Sequence, residues 1–277
     1  MTPGVPVTAG QRGFALLIVL WSMALLALIG TQVTAAGHGE TRLATNLRAS
    51  AVAEAAADGA VFEAVFHLLD GSAAHWRADG LPHAVRLPQA TAEVAMVDEG
   101  RKLTLNNSSL PLLRALLHVV GADPRVSVSL ADQIADWRSP ANFPLPQGAK
   151  APQYRTAGRE YGPPNQPFRS VDELALVLNM TPDILARLRP YVSPYVESAP
   201  KAAGADPVIA EALAEASTSG GSALSFDEAT TVTITAAAVS AGGARFKRRA
   251  VVRVRNDLGA NPGAAQFVVL DWDQGAD

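Results

Sequence analysis

Near its amino end the chain carries the apolar run Gly13-Phe-Ala-Leu-Leu-Ile-Val-Leu-Trp-Ser-Met-Ala-Leu-Leu-Ala-Leu-Ile29. No Asp, Glu, Lys or Arg occurs between Gly13 and Gly39. A helix needs about 20 apolar residues to cross the hydrocarbon core of a bilayer, and this stretch is long enough. We therefore predict a transmembrane segment at residues 14–36, with Arg12 on its cytoplasmic flank.

The helix is expected to continue well beyond a membrane. Residues 40–69 are rich in alanine, the best helix former, and their apolar positions recur every three or four residues. A single helix from Phe14 to Leu69 would be about 84 Å long at ~1.5 Å per residue, which is far more than a bilayer requires. Its second half is therefore predicted to pack on a soluble domain.

A secretory signal peptide is the alternative interpretation of the amino end. Arg12 would then be its charged flank, and Val33-Thr-Ala35 would be the small-residue cleavage site after the apolar run. On that interpretation the chain is a secreted enzyme or binding protein released by signal peptidase I. The abrupt start of the apolar run and the helical pattern beyond Ala36 favour the membrane helix.

The rest of the chain changes between strand and helix patterns. Alternating apolar residues predict strands at 91–98 and 101–105, joined as a hairpin by Glu99-Gly100. From residue 109 the apolar spacing becomes that of helices, and strands return near the carboxyl end as an antiparallel meander. The predicted segments are helices at 110–120 and 128–137, an extended proline-rich loop at 141–166, a helix from Pro207, a Ser-Gly linker at 217–222, and strands at 230–236, 245–255 and 266–272.

A helical hairpin is predicted over residues 170–192. Ser170 and Glu173 have the spacing of a capping box, and Thr181 precedes a proline as an N-cap precedes the first helical position. Similar hairpins bind DNA through glycines between their helices, but Leu178-Asn-Met180 contains none. A packing role without nucleic-acid binding is therefore predicted.

The composition excludes several classes of function. Of 277 residues, 48% are hydrophobic and 18% are charged, and the net charge of −3 gives no bulk attraction to nucleic acid. No cysteine is present to form a disulfide, a thiolate metal site or a cysteine nucleophile. Nucleotide-binding and hydrolase motifs are also absent from the sequence, so we predict that the chain is not an enzyme.

Two charged patterns are candidates for binding. Asp132 and Asp136 lie four residues apart on one predicted helix, before an irregular loop, and carboxylate oxygens are the ligands that calcium prefers. The alternative is a pair of solvated or capping carboxylates. In the strand at 245–255, five basic side chains share one face, which predicts either a solvated sheet face or a docking stripe for a partner. These are Arg245, Lys247, Arg249, Arg253 and Arg255.

Three segments carry a resemblance to a known family. Residues 12–21, Arg-Gly-Phe-Ala-Leu-Leu-Ile-Val-Leu-Trp, resemble the class III signal of type IV pilins and type II secretion pseudopilins. Residues 97–106 resemble the segment by which minor pseudopilin K, the general secretion pathway protein K family, leaves its first strands. Residues 165–192 closely resemble the signature of that family's inserted helical domain.

The resemblance implies how the chain is processed. A prepilin peptidase would cut between Gly13 and Phe14, and the new terminal amine on Phe14 would be methylated. Ile18 would then be the fifth mature residue, where most pilin-like subunits carry glutamate. A carboxylate in the bilayer persists only where it has a partner. A subunit that lacks it resembles minor pseudopilin K, which implies a position at the filament tip.

The resemblance also implies architecture, partners and location. The expected fold class is α+β, with a long amino-terminal transmembrane helix, a pilin-like antiparallel sheet domain and an inserted all-helical domain. The expected partners are minor pseudopilins I and J, the major pseudopilin and the prepilin peptidase, at the tip of the type II secretion pseudopilus. Members of the family bind calcium in the inserted domain, which implies calcium at Asp132 and Asp136. The chain is expected to cross the inner membrane once, with its bulk in the periplasm.

The expected divisions of the chain follow from the same resemblance. They are a leader at 1–13, the transmembrane segment at 14–36, the long helix and first strands at 37–108, the inserted helical domain at 109–200, and the remaining sheet domain at 201–277. The family's usual sequence is absent at 197–206.

Overall fold

The computed structural model describes residues 11–197, 205–218, 229–255 and 266–275, without the side chains of residues 11–13, 30–41 and 229. Helices and antiparallel strands are both present, as predicted. The helices are α1 (Gln11–Leu69), α2 (Leu110–Val119), α3 (Pro124–Arg138), α4 (Ala151–Thr156), α5 (Pro182–Leu188) and α6 (Pro207–Thr218), with 3₁₀ helices at Glu99–Arg101, Val171–Leu176 and Arg189–Tyr191. The strands are β1 (Asp79–Leu87), β2 (Ala90–Asp98), β3 (Leu103–Thr104), β4 (Val192–Ser193), β5 (Ala229–Ser240), β6 (Arg245–Arg255) and β7 (Phe267–Gln274).

Helix α1 runs for 59 residues without a break, which confirms the predicted long helix. Its second half packs on the sheet through small side chains that recur three or four residues apart on one face. In its first half, by contrast, every side chain from Phe14 to Ile29 is exposed. Among the side chains of α1 that the structure describes, the completely buried ones are Ala53, Ala57, Ala60 and Ala64.

The amino end is described only in part. The predicted transmembrane segment, residues 14–36, includes side chains that lie outside the described residues, and residues 1–10 of the predicted leader lie outside them entirely. Across the residues that the structure does describe, no helix combines the length and the apolar character needed to span a membrane. The leader and the membrane anchor stay predictions.

Five strands form an antiparallel sheet in the order β1-β2-β5-β6-β7. The predicted meander at the carboxyl end is confirmed, and β5 turns into β6 through Gly242-Gly243, where Gly243 has a φ of +80° that favours glycine. The sequence does not predict β1, because its Gly80 and Pro82 are typical of loops. A proline is tolerated there because β1 is an edge strand. The core between α1 and the sheet includes Val94, Met96, Val232, Ile234, Ala236 and Val252.

The predicted hairpin between residues 91–98 and 101–105 is wrong. After β2 the chain makes a 3₁₀ turn, in which the Asp98 carboxylate accepts a hydrogen bond from the Gly100 amide at 2.8 Å. The turn leads the chain out of the sheet, so β3 pairs in parallel with β4 instead of with β2. These two short strands are the adjacent entrance and exit of the helical region. The paired residues are Leu103 with Val192 and Thr104 with Ser193.

The helices between β3 and β4 have a core of their own. Helix α2 packs against both α3 and α6. Helix α6 belongs to this core because its apolar residues Ile209, Ala212 and Ala216 are buried in it, although the predicted division at residue 200 assigns α6 to the sheet domain. The largest completely buried side chains of the helical core include Leu103, Leu105, Leu130, Ile134, Tyr154 and Leu174.

The predicted helix caps are confirmed in the hairpin at 170–192. Ser170 and Glu173 form a capping box, and the Thr181 hydroxyl accepts a hydrogen bond from the Ile184 amide at 3.3 Å. The first limb of the hairpin, however, is a 3₁₀ helix and not an α-helix. The hairpin therefore begins with a tighter turn than its sequence pattern indicates.

The structure describes all of the predicted proline-rich loop at 141–166, but only the start of the predicted Ser-Gly linker at 217–222. The proline-rich segment 141–166 is not extended throughout, because it contains α4 with Pro152 in its first turn. Proline is compatible with that position because the amide there has no partner within a helix. The predicted linker at 217–222 lies outside the described residues from 219 onward.

Candidate functional site in the helical domain and at its junction with the sheet

Two buried aspartates lie near the carboxyl end of α3. Asp132 and Asp136 are 1% and 2% exposed. The Asp132 carboxylate accepts hydrogen bonds from the Arg114 guanidinium at 2.7 Å and from the Gln147 amide at 3.2 Å. The Asp136 carboxylate accepts one from the Leu145 amide at 2.9 Å. Both carboxylates therefore hold the loop that follows α3.

This loop passes so close to Asp136 that glycine is required at position 148. A Cβ atom on Gly148 would lie 1.8 Å from the Asp136 Oδ2 atom. The Gly148 amide donates to the Leu145 carbonyl at 2.9 Å and closes the turn. Burial raises the pKa of Asp136, and the Leu145 amide and the Lys150 ammonium oppose that effect.

The same loop ends at a lysine whose charge is buried. Lys150 is 4% exposed. Its ammonium donates to the Asp136 carbonyl at 2.6 Å, the Ser139 carbonyl at 2.7 Å and the Asn165 Oδ1 atom at 2.8 Å. The two carbonyls belong to the end of α3, where carbonyl groups lack partners within the helix. Lys150 thus caps α3 and ties its end to the segment around Asn165.

Arg138 gives the end of α3 a second cation. Its guanidinium donates to the carbonyls of Leu105 and Ser108, where the chain enters the helical domain. Burial lowers the pKa of Arg138 to about 10, so the side chain is still protonated at neutral pH. The last turn of α3 is therefore held on one side by Arg138 and on the other by Lys150.

The arrangement around Asp132 and Asp136 does not fit a calcium ion. Calcium takes about six to eight oxygen ligands at about 2.3–2.6 Å, whereas these carboxylate oxygens face N–H donors. The two negative charges already have cations beside them, Arg114 for Asp132 and Lys150 for Asp136. Within the described ranges, no three acidic, histidine or cysteine residues converge as a metal site would require.

A polar junction joins the exit of the helical domain to the sheet. The Tyr195 hydroxyl donates to the Asp271 carboxylate at 2.7 Å, and Arg249 donates to the same oxygen at 2.9 Å. Arg253 donates to the Tyr195 carbonyl at 2.8 Å and to the Glu197 carboxylate at 2.6 Å. Burial and the Asp271 carboxylate raise the pKa of Tyr195 to about 12, so the hydroxyl keeps its proton at neutral pH. Of the predicted basic stripe, Arg253 therefore binds this chain's own exit segment, and Arg249 binds the Asp271 carboxylate that also accepts from Tyr195.

Arg248 is a structural cation that sequence reasoning missed. It lies on the face of β6 that packs against α1, where it donates to Asp58 at 2.6 Å and to Glu54 at 3.0 Å. Its guanidinium also lies over the rings of Phe246 and Trp272, at 4.8 Å and 5.3 Å from their centroids. The signal was present, because position 248 falls on the otherwise apolar face of the strand and Glu54 and Asp58 lie one turn apart on α1.

The residues of the predicted processing site lie far along the chain from these features, on the first half of α1. Phe14 is 70% exposed and Ile18 is 51% exposed. Gly13 lies within the helix, but its surroundings are outside the described residues. The structure thus brings Asp132 and Asp136 together with Lys150 at the end of the following loop. Phe14 and Ile18 lie exposed on the first half of α1.

Sequence comparisons point to one family. Residues 89–197 match the family described as "Type II secretion system (T2SS), protein K". The type II secretion system protein K of Dickeya chrysanthemi is 33% identical over 81 residues, which cover 29% of this chain and 22% of that protein. The protein of the same name from Pectobacterium carotovorum subsp. carotovorum is 24% identical over 204 residues, which cover 66% of this chain and 62% of that protein. The matches thus span less than two thirds of either relative.

The fold resembles a solved structure over most of its length. It matches a chain in the crystal structure of the GspK-GspI-GspJ complex from the type 2 secretion system of enterotoxigenic Escherichia coli, with a TM-score of 0.61 and 16% identity. The match covers 87% of this chain and 99% of that chain, and at this identity it shows the fold. The resemblance predicted from the sequence is confirmed: this chain is similar to type II secretion system protein K, in sequence over residues 89–197 and in fold over most of its length.

Proposed function

We propose that this chain is a minor pseudopilin of a type II secretion system, which starts and caps the pseudopilus together with I-like and J-like pseudopilins. The observation that carries the proposal is the fold match to a chain of the GspK-GspI-GspJ complex over 99% of that chain. The family match at residues 89–197 supports it from sequence. Its role is assembly and not catalysis, with the major pseudopilin below it in the filament.

The first half of α1 is proposed to anchor the chain in the inner membrane, with the bulk of the chain in the periplasm. Every side chain from Phe14 to Ile29 is exposed, and nearly all are apolar. The hydroxyl of Ser22, within this run, donates to the Ile18 carbonyl at 2.8 Å. This internal hydrogen bond supports the proposal, because polar groups surrounded by lipid need partners within the protein.

Prepilin peptidase is proposed to cut between Gly13 and Phe14, after which the new amine is methylated. Sequencing the amino terminus of protein purified from membranes is expected to give methylated Phe14. Gly13→Ala should leave the uncut precursor, whereas Gly39→Ala, a control just beyond the predicted transmembrane segment, should be processed normally. A terminus at Ala36 or Gly37 would instead favour the secreted enzyme or binding protein released by signal peptidase I.

Ile18 is proposed to suit a subunit that has no neighbour above it. In the bilayer an unpaired carboxylate costs about 2.5–3.5 kcal/mol, and a tip subunit receives no amine that would pair with it. Ile18→Glu should therefore lower secretion in a strain that lacks this protein. Leu25→Glu, at another exposed position of α1, is the matched control and should be equally harmful. If Ile18→Glu improves secretion, or is tolerated better than Leu25→Glu, the tip position is contradicted.

Partner binding is proposed to use α1 and the sheet and to leave the helical domain free. Co-purification of the full chain with I-like and J-like pseudopilins in detergent tests this arrangement. Phe66→Asp changes an exposed residue of α1 beside the sheet and should weaken the complex. Arg125→Glu changes an exposed residue of α3 and should leave it intact. The reverse pattern would show that the helical domain is the contact surface.

A further inference from the structure

We propose that the Lys150 ammonium serves as an internal structural cation of the helical domain, and that this domain therefore keeps its fold without bound calcium. Lys150 occupies a centre of oxygen atoms of the kind that a metal ion organises in other proteins. The inference concerns the stability of the helical domain and is independent of the proposed function.

The first argument is that every donor of the ammonium is used. An ammonium has three N–H groups, and three oxygens accept from Lys150 at 2.6, 2.7 and 2.8 Å. These are the distances of charge-assisted hydrogen bonds. A charge that is 4% exposed is costly unless it is paired and hydrogen-bonded. The contacts therefore fit a permanent structural role for this ammonium.

The second argument is the balance of charge. Asp132 and Asp136 contribute two negative charges, and Arg114 and Lys150 contribute two positive ones. Burial lowers the pKa of Lys150, and the Asp136 carboxylate opposes that effect. A divalent cation at the same carboxylates would add two charges that no further acidic group balances among the described residues.

The third argument is that the ammonium joins the end of α3 to the segment that follows α4. The end of α3 supplies two carbonyls, and Asn165 supplies the third oxygen from the far side of α4. Asn165 has a φ of 56°, in the left-handed region that asparagine tolerates better than most residues. Lys150 thus fixes both ends of the segment from 139 to 165, as a bound metal ion fixes the ends of a loop.

Calcium dependence is the direct test. The full chain, purified in detergent, should have the same unfolding temperature in EDTA and in millimolar calcium chloride, and elemental analysis should find no stoichiometric calcium. A ligand that binds the native state raises its stability, so a bound calcium ion would be visible as a higher Tm. Stoichiometric calcium, together with a Tm that falls in EDTA, would overturn the proposal.

Substitutions test the role of the ammonium itself. Lys150→Met should lower the Tm and speed hydrogen exchange at the Leu145 and Gln147 amides. Arg155→Met removes a cation from an exposed position of α4 and is the matched control. If Lys150→Met does not fold, Asn165→Gly removes one acceptor at an exposed position whose φ of 56° glycine also accepts, and should give a smaller loss of Tm. A Tm and an exchange pattern like those of the Arg155→Met control, in either variant, would refute the proposal.

Discussion

Arg248→Met is expected to loosen α1 from the sheet. The arginine side chain is 10% exposed, and its partners Asp58 and Glu54 are 33% and 52% exposed. Hydrogen bonds to charged groups contribute about 1.5–3 kcal/mol, and the value for Glu54 has to be reduced to about 0.5 kcal/mol because the glutamate is half in water. Losing the interaction with the rings of Phe246 and Trp272 adds about 0.5–1 kcal/mol.

The sum is a loss of about 3 kcal/mol in the free energy of unfolding, or roughly 6–12 °C in Tm for a chain of this size. Methionine keeps most of the apolar volume, so cavity formation contributes little. Urea and thermal unfolding of the full chain in detergent, followed by tryptophan fluorescence, measure the change. Arg245→Met, an exposed arginine on the same strand, is the control and should change stability by less than about 0.5 kcal/mol.

A double-mutant cycle assigns the loss to the ion pair. Asp58→Asn alone and together with Arg248→Met should give a coupling energy of about 1–2 kcal/mol, because the two groups share a 2.6 Å hydrogen bond. A coupling energy near zero, or an Arg248→Met variant as stable as Arg245→Met, would refute the reasoning.

Three further predictions concern the helical domain. Gly148→Ala should lower the free energy of unfolding by about 1–3 kcal/mol, because the new Cβ would lie 1.8 Å from the Asp136 carboxylate. Gly71→Ala is the control, since its Cβ would meet no atom within 4 Å. Equal urea midpoints for the two variants would contradict the clash. Burial raises the pKa of Asp136 above 3.8, so the native state binds this proton more tightly than the unfolded state does. Wild type should therefore gain stability relative to Asp136→Asn as the pH falls from neutral toward 3.8. A stability difference that does not change with pH would argue against the raised pKa. Leu174→Asp should lower the free energy of unfolding by about 3–5 kcal/mol, because it places an unpaired charge at a completely buried position. Near-wild-type stability in urea would show that the 170–192 hairpin does not anchor the helical core.

The predictable parts of the fold are those whose causes are local. The capping residues Ser170 and Thr181 act within three residues of themselves, and the sequence therefore predicts both caps. The meander of β5, β6 and β7 follows from alternation and from the Gly242-Gly243 turn. The long helix α1 follows from alanine content and apolar spacing.

The features that the sequence does not predict depend on residues distant in sequence. The partner of β3 is β4, nearly ninety residues later, and the nearer strand β2 is the local but wrong choice. Lys150 becomes a buried cation because Asn165 and the end of α3 meet it, and nothing in its immediate sequence indicates burial. The aspartates illustrate a middle case. Their pairing on one helix face is predictable from spacing, but the N–H donors that face them come from Arg114 and from the loop at 145–147.

The parallel pairing of β3 with β4 has a consequence for protein engineering. Because β3 and β4 are neighbours, a short linker joining residue 102 to residue 194 would bridge only a small gap. Removing 103–193 alone would nevertheless strip the cover from Ile209, Ala212 and Ala216 of α6, leaving an apolar stripe in water. The chain enters the helical domain a second time with α6, so a removable module has to include α6 as well as residues 103–193. A graft that transfers the helical domain to another scaffold has to include both the helices between β3 and β4 and α6.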